Sequence, residues 1–167
     1  MSMTEPRDLL LHEMGDVLFA EQTLVKALPK LIEEASDEEL RSGFEAHLSQ
    51  TKQHVENVKQ AFEAMGAPAQ AEKCPGIEGI TKEHDEFMRA EAPSPEVCDM
   101  FLTGAGARAE HYEIAAYTGL VTMAKSLGES DAAALLEENL EQEKETLDKL
   151  ETISKRFART AKAGASA

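Results

Sequence analysis

The chain has 167 residues, 42% hydrophobic and 29% charged, which suits one globular domain that buries its core without disulfides or structural zinc. Its net charge of −15 disfavours nucleic acid and anionic membranes as partners, because both repel an acidic surface. We therefore expect a protein that binds neither of them.

Other features of the sequence predict a cytoplasmic protein. The N-terminal residues lack the basic and apolar regions of a signal peptide, and no apolar run approaches the roughly 18 residues of a membrane span. Cys74 and Cys98 do not form a CxxC pair, and two cysteines are too few for a disulfide framework. We interpret both as small packed residues in a reduced compartment.

Two long helices are predicted before residue 66. Apolar residues recur at steps of three and four over residues 5–34, which indicates an amphipathic helix. Ser36 then begins a sequence typical of a capping box, Ser36-Asp37-Glu38-Glu39, which predicts the start of the second helix. That helix should extend to about Met65, because Gly66-Ala67-Pro68 is a stop signal.

The second half of the chain predicts another pair of long helices after an extended connection. Residues 66–93 are too many for a turn, and residues 77–90 within them predict a short helix. Ser94-Pro95 is a typical helix start, and that helix should end before Gly128. The last helix should begin at Ser130-Asp131 and complete a bundle domain of residues 1–160, followed by a flexible tail at 161–167.

The lengths of the connections predict the topology. Short connections make the first two long helices one antiparallel hairpin and the last two another. The long middle connection can cross the whole bundle, since a helix of about 30 residues spans roughly 45 Å. Two hairpins joined by one long crossover form an all-α, ferritin-like four-helix bundle.

Each long helix carries a polar residue where its apolar stripe should continue. The interruptions are Glu21, Thr51 with His54, Glu113, and Glu143. Because positions three and four apart face one side of a helix, the three glutamates should point into the core. A misjudged helix phase would instead leave them at the edge of the bundle, and His54 could be a hydrogen-bonded core histidine.

Metal binding explains these interruptions better than packing does. An ionised carboxylate in a dry core costs several kcal/mol unless it is paired or binds a metal, and no Lys or Arg lies nearby in the same stripes. Carboxylate oxygen and imidazole nitrogen are ligands expected for iron or manganese. The sequence therefore predicts a centre for one or two such ions.

The polar positions repeat between the two hairpins. Glu113 follows Glu21 by 92 residues, and Glu143 follows Thr51 by the same 92. This offset predicts the pseudo-twofold symmetry of a di-metal bundle. Glu110 adds an acid one turn before Glu113. The sequence therefore does not decide whether Glu110 or Glu113 is the position that corresponds to Glu21 in the first hairpin.

Several stretches together carry a resemblance to a known family. They are LLLHEMGDVLFAEQTLVKALPKL, HLSQTKQHVENV, KCPGIEGI, AEHYEIAAYTGL and LLEENLEQEKETLDKL, and they cover nearly the whole chain in order. The chain resembles the ferritin-like stress-response proteins typified by bacterial YciE and YciF. This resemblance implies a ferritin-like fold, a homodimer and a rubrerythrin-like metal site.

The sequence departs from the wider ferritin-like pattern, in which Glu on one helix and Glu-x-x-His on the next occur twice. Thr51 stands where Glu is expected, and Thr146 stands where His is expected. The third long helix reads Glu110-His111-Tyr112-Glu113, which resembles the paired Glu of rubrerythrin-like sites. The residues that match the family's ligand positions, and that the resemblance therefore implies as metal ligands, are Glu21, His54, Glu110, Glu113 and Glu143. The side chains expected to contact these ligands are Gln50, Thr51, Thr146 and Tyr117.

The remaining histidines are interpreted as structural. His47 faces the side of Thr51 and is read as a packed core or edge residue. His12, His84 and His111 are read as surface residues.

Two classes of function fit these predictions best; a third, metal storage in a cage, is less favoured because nothing in a single sequence indicates cage assembly. In the first, iron or manganese supports ferroxidase, peroxidase or catalase-like chemistry with dioxygen or peroxide. In the second, the chain is a non-enzymatic dimeric stress protein whose metal site is structural or vestigial.

Overall fold

Five α-helices make up the computed structural model, which describes residues 3–164, with side chains through residue 161. In chain order they are α1 (Pro6–Glu34), α2 (Glu38–Ala64), α3 (Pro75–Glu91), α4 (Pro95–Ser126) and α5 (Ser130–Gly164). No strand occurs within the described residues. The predicted all-α bundle with a short helix in its crossover is confirmed.

The four long helices form a ring in which α1 packs on α2, α2 on α5, α5 on α4 and α4 on α1. The crossover helix α3 lies outside this ring and packs against α1 and α4. The chain reaches α3 by passing over α1 at Gly15, whose carbonyl accepts a hydrogen bond from the Glu72 amide at 2.9 Å. A Cβ at Gly15 would lie 2.7 Å from the carbonyl oxygen of Gln70, so this close passage requires glycine.

The start of α2 differs from its prediction. Asp37 is the N-cap, and its Oδ1 accepts a hydrogen bond from the Leu40 amide at 3.0 Å. Ser36 does not cap the helix, because its hydroxyl donates instead to Asp99 of α4 at 2.5 Å. The predicted Ser36 capping box is therefore wrong. A carboxylate 63 residues away in the sequence engages the serine that would have formed it.

Other helix ends lie close to their predicted positions. Gly66 and Gly128 follow α2 and α4 with φ of +67° and +78°, the left-handed conformation that ends helices. The helix α3 begins two residues before its prediction, at Pro75, and Cys74 is its N-cap. The helix α5 continues to Gly164 rather than ending at 160, since Ala and Lys favour helix there. Within the predicted tail, residues 165–167 lie outside the described part of the chain.

Two apolar clusters fill the bundle on either side of a polar middle layer. One cluster includes Met14, Phe62 and Leu136, and the other includes Leu28, Phe44 and Leu102. Each long helix contributes to both clusters, so its central turns face the layer between them. Within residues 3–164, no helix combines the length and apolarity that crossing a membrane requires.

Candidate metal centre

The polar middle layer contains all five predicted ligands. Glu21, His54, Glu113 and Glu143 are fully buried, and Glu110 is 2% exposed. They come from the four long helices, each of which turns one face of its 3.6-residue repeat toward the bundle axis. The structure therefore brings the predicted residues together in the core, rather than at the edge of the bundle.

One half of the layer, which we call the Glu21 half, consists of Glu21 and His54. The Nδ1 atom of His54 lies 2.8 Å from Glu143 Oε1 and 3.3 Å from Glu21 Oε1. Its other nitrogen, Nε2, lies 3.0 Å from the side-chain oxygen of Gln142. Because an amide oxygen only accepts hydrogen bonds, Nε2 carries a proton and Nδ1 faces the carboxylates.

The opposite half, which we call the Glu110 half, consists of His47 and Glu110. His47 Nε2 lies 3.1 Å from Glu110 Oε1, and both side chains are buried. The interpretation of His47 as an ordinary packed histidine missed this position beside the carboxylates. Its spacing was an available signal, because His47 precedes His54 by seven residues and so shares its helix face.

Glu143 joins the two halves. Ligand atoms of Glu21, His54 and Glu143 lie within 4.8 Å of one another, and so do those of His47, Glu110 and Glu143. The layer thus contains two groups of three donors that share one carboxylate. Glu113 belongs to neither group, but its charge interacts with Glu21, Glu143 and Glu110.

Crowding of these acids changes their protonation. Burial, followed by the neighbouring carboxylates, raises the pKa of Glu110 and Glu113 well above the usual range. Burial also raises the pKa of Glu21. Burial opposes the ionisation of Glu143, but its hydrogen bonds with His54 and Glu110 lower its pKa to about 2. Without a metal, the layer therefore pairs the Glu143 carboxylate with His54, beside three acids whose ionisation burial opposes.

The donor set fits divalent cations such as iron or manganese. Both oxygens of Glu113, and one each of Glu21 and Glu110, are buried without hydrogen-bond partners. Among residues 3–161, the ion-pair partners of these carboxylates are histidines, so no Lys or Arg neutralises them. Each buried, unsatisfied polar group costs about 1–3 kcal/mol, and coordination to a cation would remove that cost.

A hydrogen-bonded chain of side chains holds the Glu21 half in place. Tyr117 donates from its hydroxyl to Glu21 Oε1 at 2.5 Å and accepts from Asn139 Nδ2 at 2.9 Å. Asn139 Oδ1 in turn accepts from Asn57 Nδ2 at 2.8 Å. Tyr117 was expected to contact a ligand, whereas the two asparagines were missed because each lies in an otherwise ordinary polar stretch of its helix.

The other side chains expected beside the ligands have different roles. The Thr51 hydroxyl donates to the His47 carbonyl at 2.8 Å, and the Thr146 hydroxyl donates to the Gln142 carbonyl at 3.1 Å. Both threonines therefore face the layer with hydroxyls already bonded to their own helices. Gln50 is only half-buried, and the matching residue of the second hairpin, Gln142, is the one that contacts His54.

A cavity of about 290 Å³ reaches the Glu110 half from the surface. It lies under α3, and His47 and Glu110 line it together with apolar side chains of α1, α2 and α4. Glu21 and His54 do not line it. The two halves of the layer therefore differ in access as well as in hydrogen bonding.

His84 of α3 was expected at the surface, but it is buried and lines the same cavity. It is 6% exposed, its Nε2 lies 2.7 Å from Glu34 Oε2, and its ring stacks on Phe101. The surface prediction is wrong because α3 packs on α1 and α4 and covers this histidine. Burial raises the pKa of the Cys74 and Cys98 thiols, which fits packed rather than reactive cysteines.

The fold and the buried cluster define an all-α protein of the ferritin-like bundle class, with carboxylates and histidines at its centre. A family model described as a domain of unknown function, DUF892, matches residues 5–163. The chain therefore belongs to the DUF892 family.

This chain is also similar in sequence and structure to a curated protein. Protein YciF of Escherichia coli K12 is 37% identical over 155 residues, covering 92% of this chain and 93% of YciF. The crystal structure of YciF, described as an E. coli stress protein, matches with a TM-score of 0.89 and 36% identity, covering 94% of this chain and 99% of that one.

Two further solved structures share the fold. YcfI of Rhodopseudomonas palustris matches with a TM-score of 0.88 and 38% identity, over 90% of this chain and 96% of that one. A protein from Xanthomonas campestris matches with a TM-score of 0.75 over 98% of this chain and 100% of that one. The latter is only 20% identical, so it supports the fold alone.

Proposed function

We propose that this chain is a di-metal carboxylate protein that holds two iron or manganese ions in its polar middle layer. The observation that carries the proposal is the position of Glu143, which belongs to two separate groups of three buried donors. One carboxylate shared between two groups of donors is an arrangement that suits a pair of neighbouring cations. A single structural ion would occupy only one of the two groups of donors.

The donors divide naturally between the two ions. Glu21 and His54 would hold one ion, and His47 and Glu110 would hold the other. Glu143 would contact both ions, and the two unpartnered oxygens of Glu113 make it a second bridging candidate. The set of four carboxylates and two imidazoles suits iron or manganese rather than a soft, thiolate-bound metal.

Bound iron would supply one-electron redox chemistry toward dioxygen or peroxide, and bound manganese would supply a catalase-type redox cycle. The chain's own residues orient and protect the site. Gln142 fixes the His54 ring through Nε2, and Tyr117 fixes one oxygen of Glu21. The apolar clusters on both sides exclude water from the layer, except where the cavity reaches His47 and Glu110.

A second candidate function has an observation in its favour. Thr51 and Thr146 replace two ligands of the ferritin-like pattern, and their hydroxyls are bonded to backbone carbonyls. A reduced ligand set would suit a structural or vestigial metal site in a non-enzymatic, dimeric stress protein. His47 weighs against this reading, because it supplies an imidazole that the sequence pattern had left out.

Metal analysis tests the first proposal. The protein should be purified without chelator, reconstituted with ferrous iron or manganese, desalted and measured for metal per chain. We expect two equivalents, and failure to bind metal by a folded protein would overturn the proposal. Consumption of hydrogen peroxide by the loaded protein, compared with the metal-free protein, would then separate an oxidoreductase from a structural metal site. Sedimentation would test the predicted homodimer.

A further inference from the structure

The cavity that reaches the Glu110 half is mainly aliphatic and aromatic. Its wall includes Leu24 and Leu28 of α1, Phe44 of α2 and Ile80 of α3. The helix α3 forms its roof, and the bundle helices form its floor. Such a surface is poorly suited to water and well suited to an apolar molecule.

Small residues leave this space open. Ala27 on α1 and three neighbouring positions on α4, namely Ala105, Gly106 and Ala109, line the cavity. Larger side chains at the three alanines would fill the gap beneath α3, as they fill the other interfaces of the bundle. A Cβ at Gly106 would instead lie 2.9 Å from Leu150 of α5. The cavity therefore follows from side-chain size at a few positions on two helices.

Polar groups occur at the two ends of the cavity. At the outer end, Lys30 Nζ pairs with Asp85 Oδ1 at 2.6 Å, and both side chains are at least half exposed. At the inner end, His47 Nδ1 and Glu110 Oε2 are buried without hydrogen-bond partners. These two inner atoms need a partner that the described side chains do not supply.

We propose that the cavity binds a neutral amphiphile, with an apolar body against its wall and a terminal hydroxyl or hydroperoxyl group at His47 and Glu110. The terminal O–H would donate to one of the two unpartnered atoms. A charged head group at the inner end would be unfavourable, because a carboxylate would be buried beside Glu110 and Glu143. If the proposed function is right, an organic hydroperoxide bound in this way would lie beside the metal pair. This last point rests on the proposed function, whereas binding of the amphiphile does not.

The size of the cavity sets the size of the ligand. An apolar cavity of about 150 Å³ holds benzene, so 290 Å³ suits an apolar body of roughly twice that size. A medium-length alkyl chain fits this description. We therefore choose n-butanol, n-hexanol and n-octanol as probes, because they keep one hydroxyl and change only the apolar length.

Calorimetric titration of the full chain as purified tests binding. The affinity should rise about fourfold for each added methylene, which is the gain expected for burying it. Replacing Ala27 with Phe should weaken n-octanol binding at least about tenfold by filling the outer part of the cavity. The matched control is Ala116→Phe, which is also half-buried on a bundle helix but lies outside the cavity, and it should bind as the native chain does.

The orientation of the ligand has its own readout. In metal-free protein, n-octanol should shift the imidazole nitrogen resonances of His47 and leave those of His54 unchanged, since only His47 lines the cavity. Equal affinity in the native and Ala27→Phe proteins would overturn the proposal, as would an unshifted His47. Tighter binding of octanoate than of n-octanol would show that a charged head is preferred and would also overturn it. None of these measurements requires metal, so their failure is distinct from failure of metal binding.

Discussion

The two halves of the polar layer contain the same ligand chemistry in different surroundings. Each half offers one histidine and one glutamate beside the shared Glu143. In the Glu21 half, Tyr117 and Gln142 hydrogen-bond Glu21 and His54, and neither of these two residues lines the cavity under α3. In the Glu110 half, His47 and Glu110 line a cavity open to the surface, whereas unpartnered buried atoms occur in both halves.

This difference suggests a division of roles. Hydrogen bonds to ligands fix their orientation and raise metal affinity, so the Glu21 half should hold its ion more firmly. A small molecule can approach through the cavity that His47 and Glu110 line, so the Glu110 half should be where an oxidant arrives. The pseudo-twofold repeat of the sequence thus does not produce two halves with equivalent surroundings.

The largest effect is expected from Glu143→Gln, because this carboxylate belongs to both halves. The variant should lose most of both metal equivalents, since the amide keeps the shape but removes the charge. Metal analysis after reconstitution measures this. Glu145→Gln is the matched control, because that glutamate is exposed on the same helix and should leave metal content unchanged. Retention of both equivalents by Glu143→Gln would show that the halves are independent.

Removing one histidine at a time should separate the halves. We expect His54→Leu to lose the ion of the Glu21 half and His47→Leu to lose the ion of the Glu110 half, so each variant should retain about one equivalent. Metal content measured over a range of added manganese would show this. If His47→Leu bound as much metal as the native chain, the Glu110 half would not be a metal site.

A smaller effect should follow from removing a hydrogen bond to a ligand. Tyr117→Phe deletes the hydroxyl that donates to Glu21 and accepts from Asn139. Metal affinity at the Glu21 half should fall about 10-fold, at the low end of the 10–100-fold loss typical when such a partner is removed. Competition with a chelator measures the affinity. Tyr112→Phe is the control, because Tyr112 bonds to Cys74 and Asp16 rather than to a ligand.

The subtlest expected difference concerns the two histidines of metal-free protein. Burial would lower the pKa of His54, but hydrogen bonds with Glu143 and Glu21 raise it to about 10. Burial lowers the pKa of His47 below its usual value. Protonated His54 therefore stabilises the metal-free fold until the pH rises through about 10, whereas His47 destabilises it as the pH falls below roughly 6.5.

Imidazole NMR at neutral pH can check this difference directly. His54 should show a protonated ring and His47 a neutral one, with the His47→Leu variant used to assign the signals. Two rings with the same protonation state would contradict the asymmetry between the halves.

Much of this arrangement was predictable from local sequence. Apolar steps of three and four indicated every long helix, and the polar interruptions at Glu21, Glu113 and Glu143 indicated a buried layer. The sequence did not decide whether Glu110 or Glu113 faces the layer, and the structure shows that both do. Glu110 and Glu113 lie about one turn apart, so both face the same layer.

What the sequence could not supply depends on contacts between distant residues. Ser36 and Asp37 are both good helix caps, and only the reach of Asp99 from α4 decides between them. His47 joins a group of side chains that could hold a metal ion because the packing of the two hairpins places Glu110 beside it. The cavity likewise depends on how α3 lies over the small residues beneath it, which no single helix pattern reveals.

In the proposed function, two cations share Glu143 in one buried layer. Anomalous diffraction from crystals of manganese-loaded protein tests it most directly. We expect two anomalous peaks per chain, one beside Glu21 and His54 and the other beside His47 and Glu110, with Glu143 in contact with both. A single peak, or peaks confined to surface carboxylates, would contradict it.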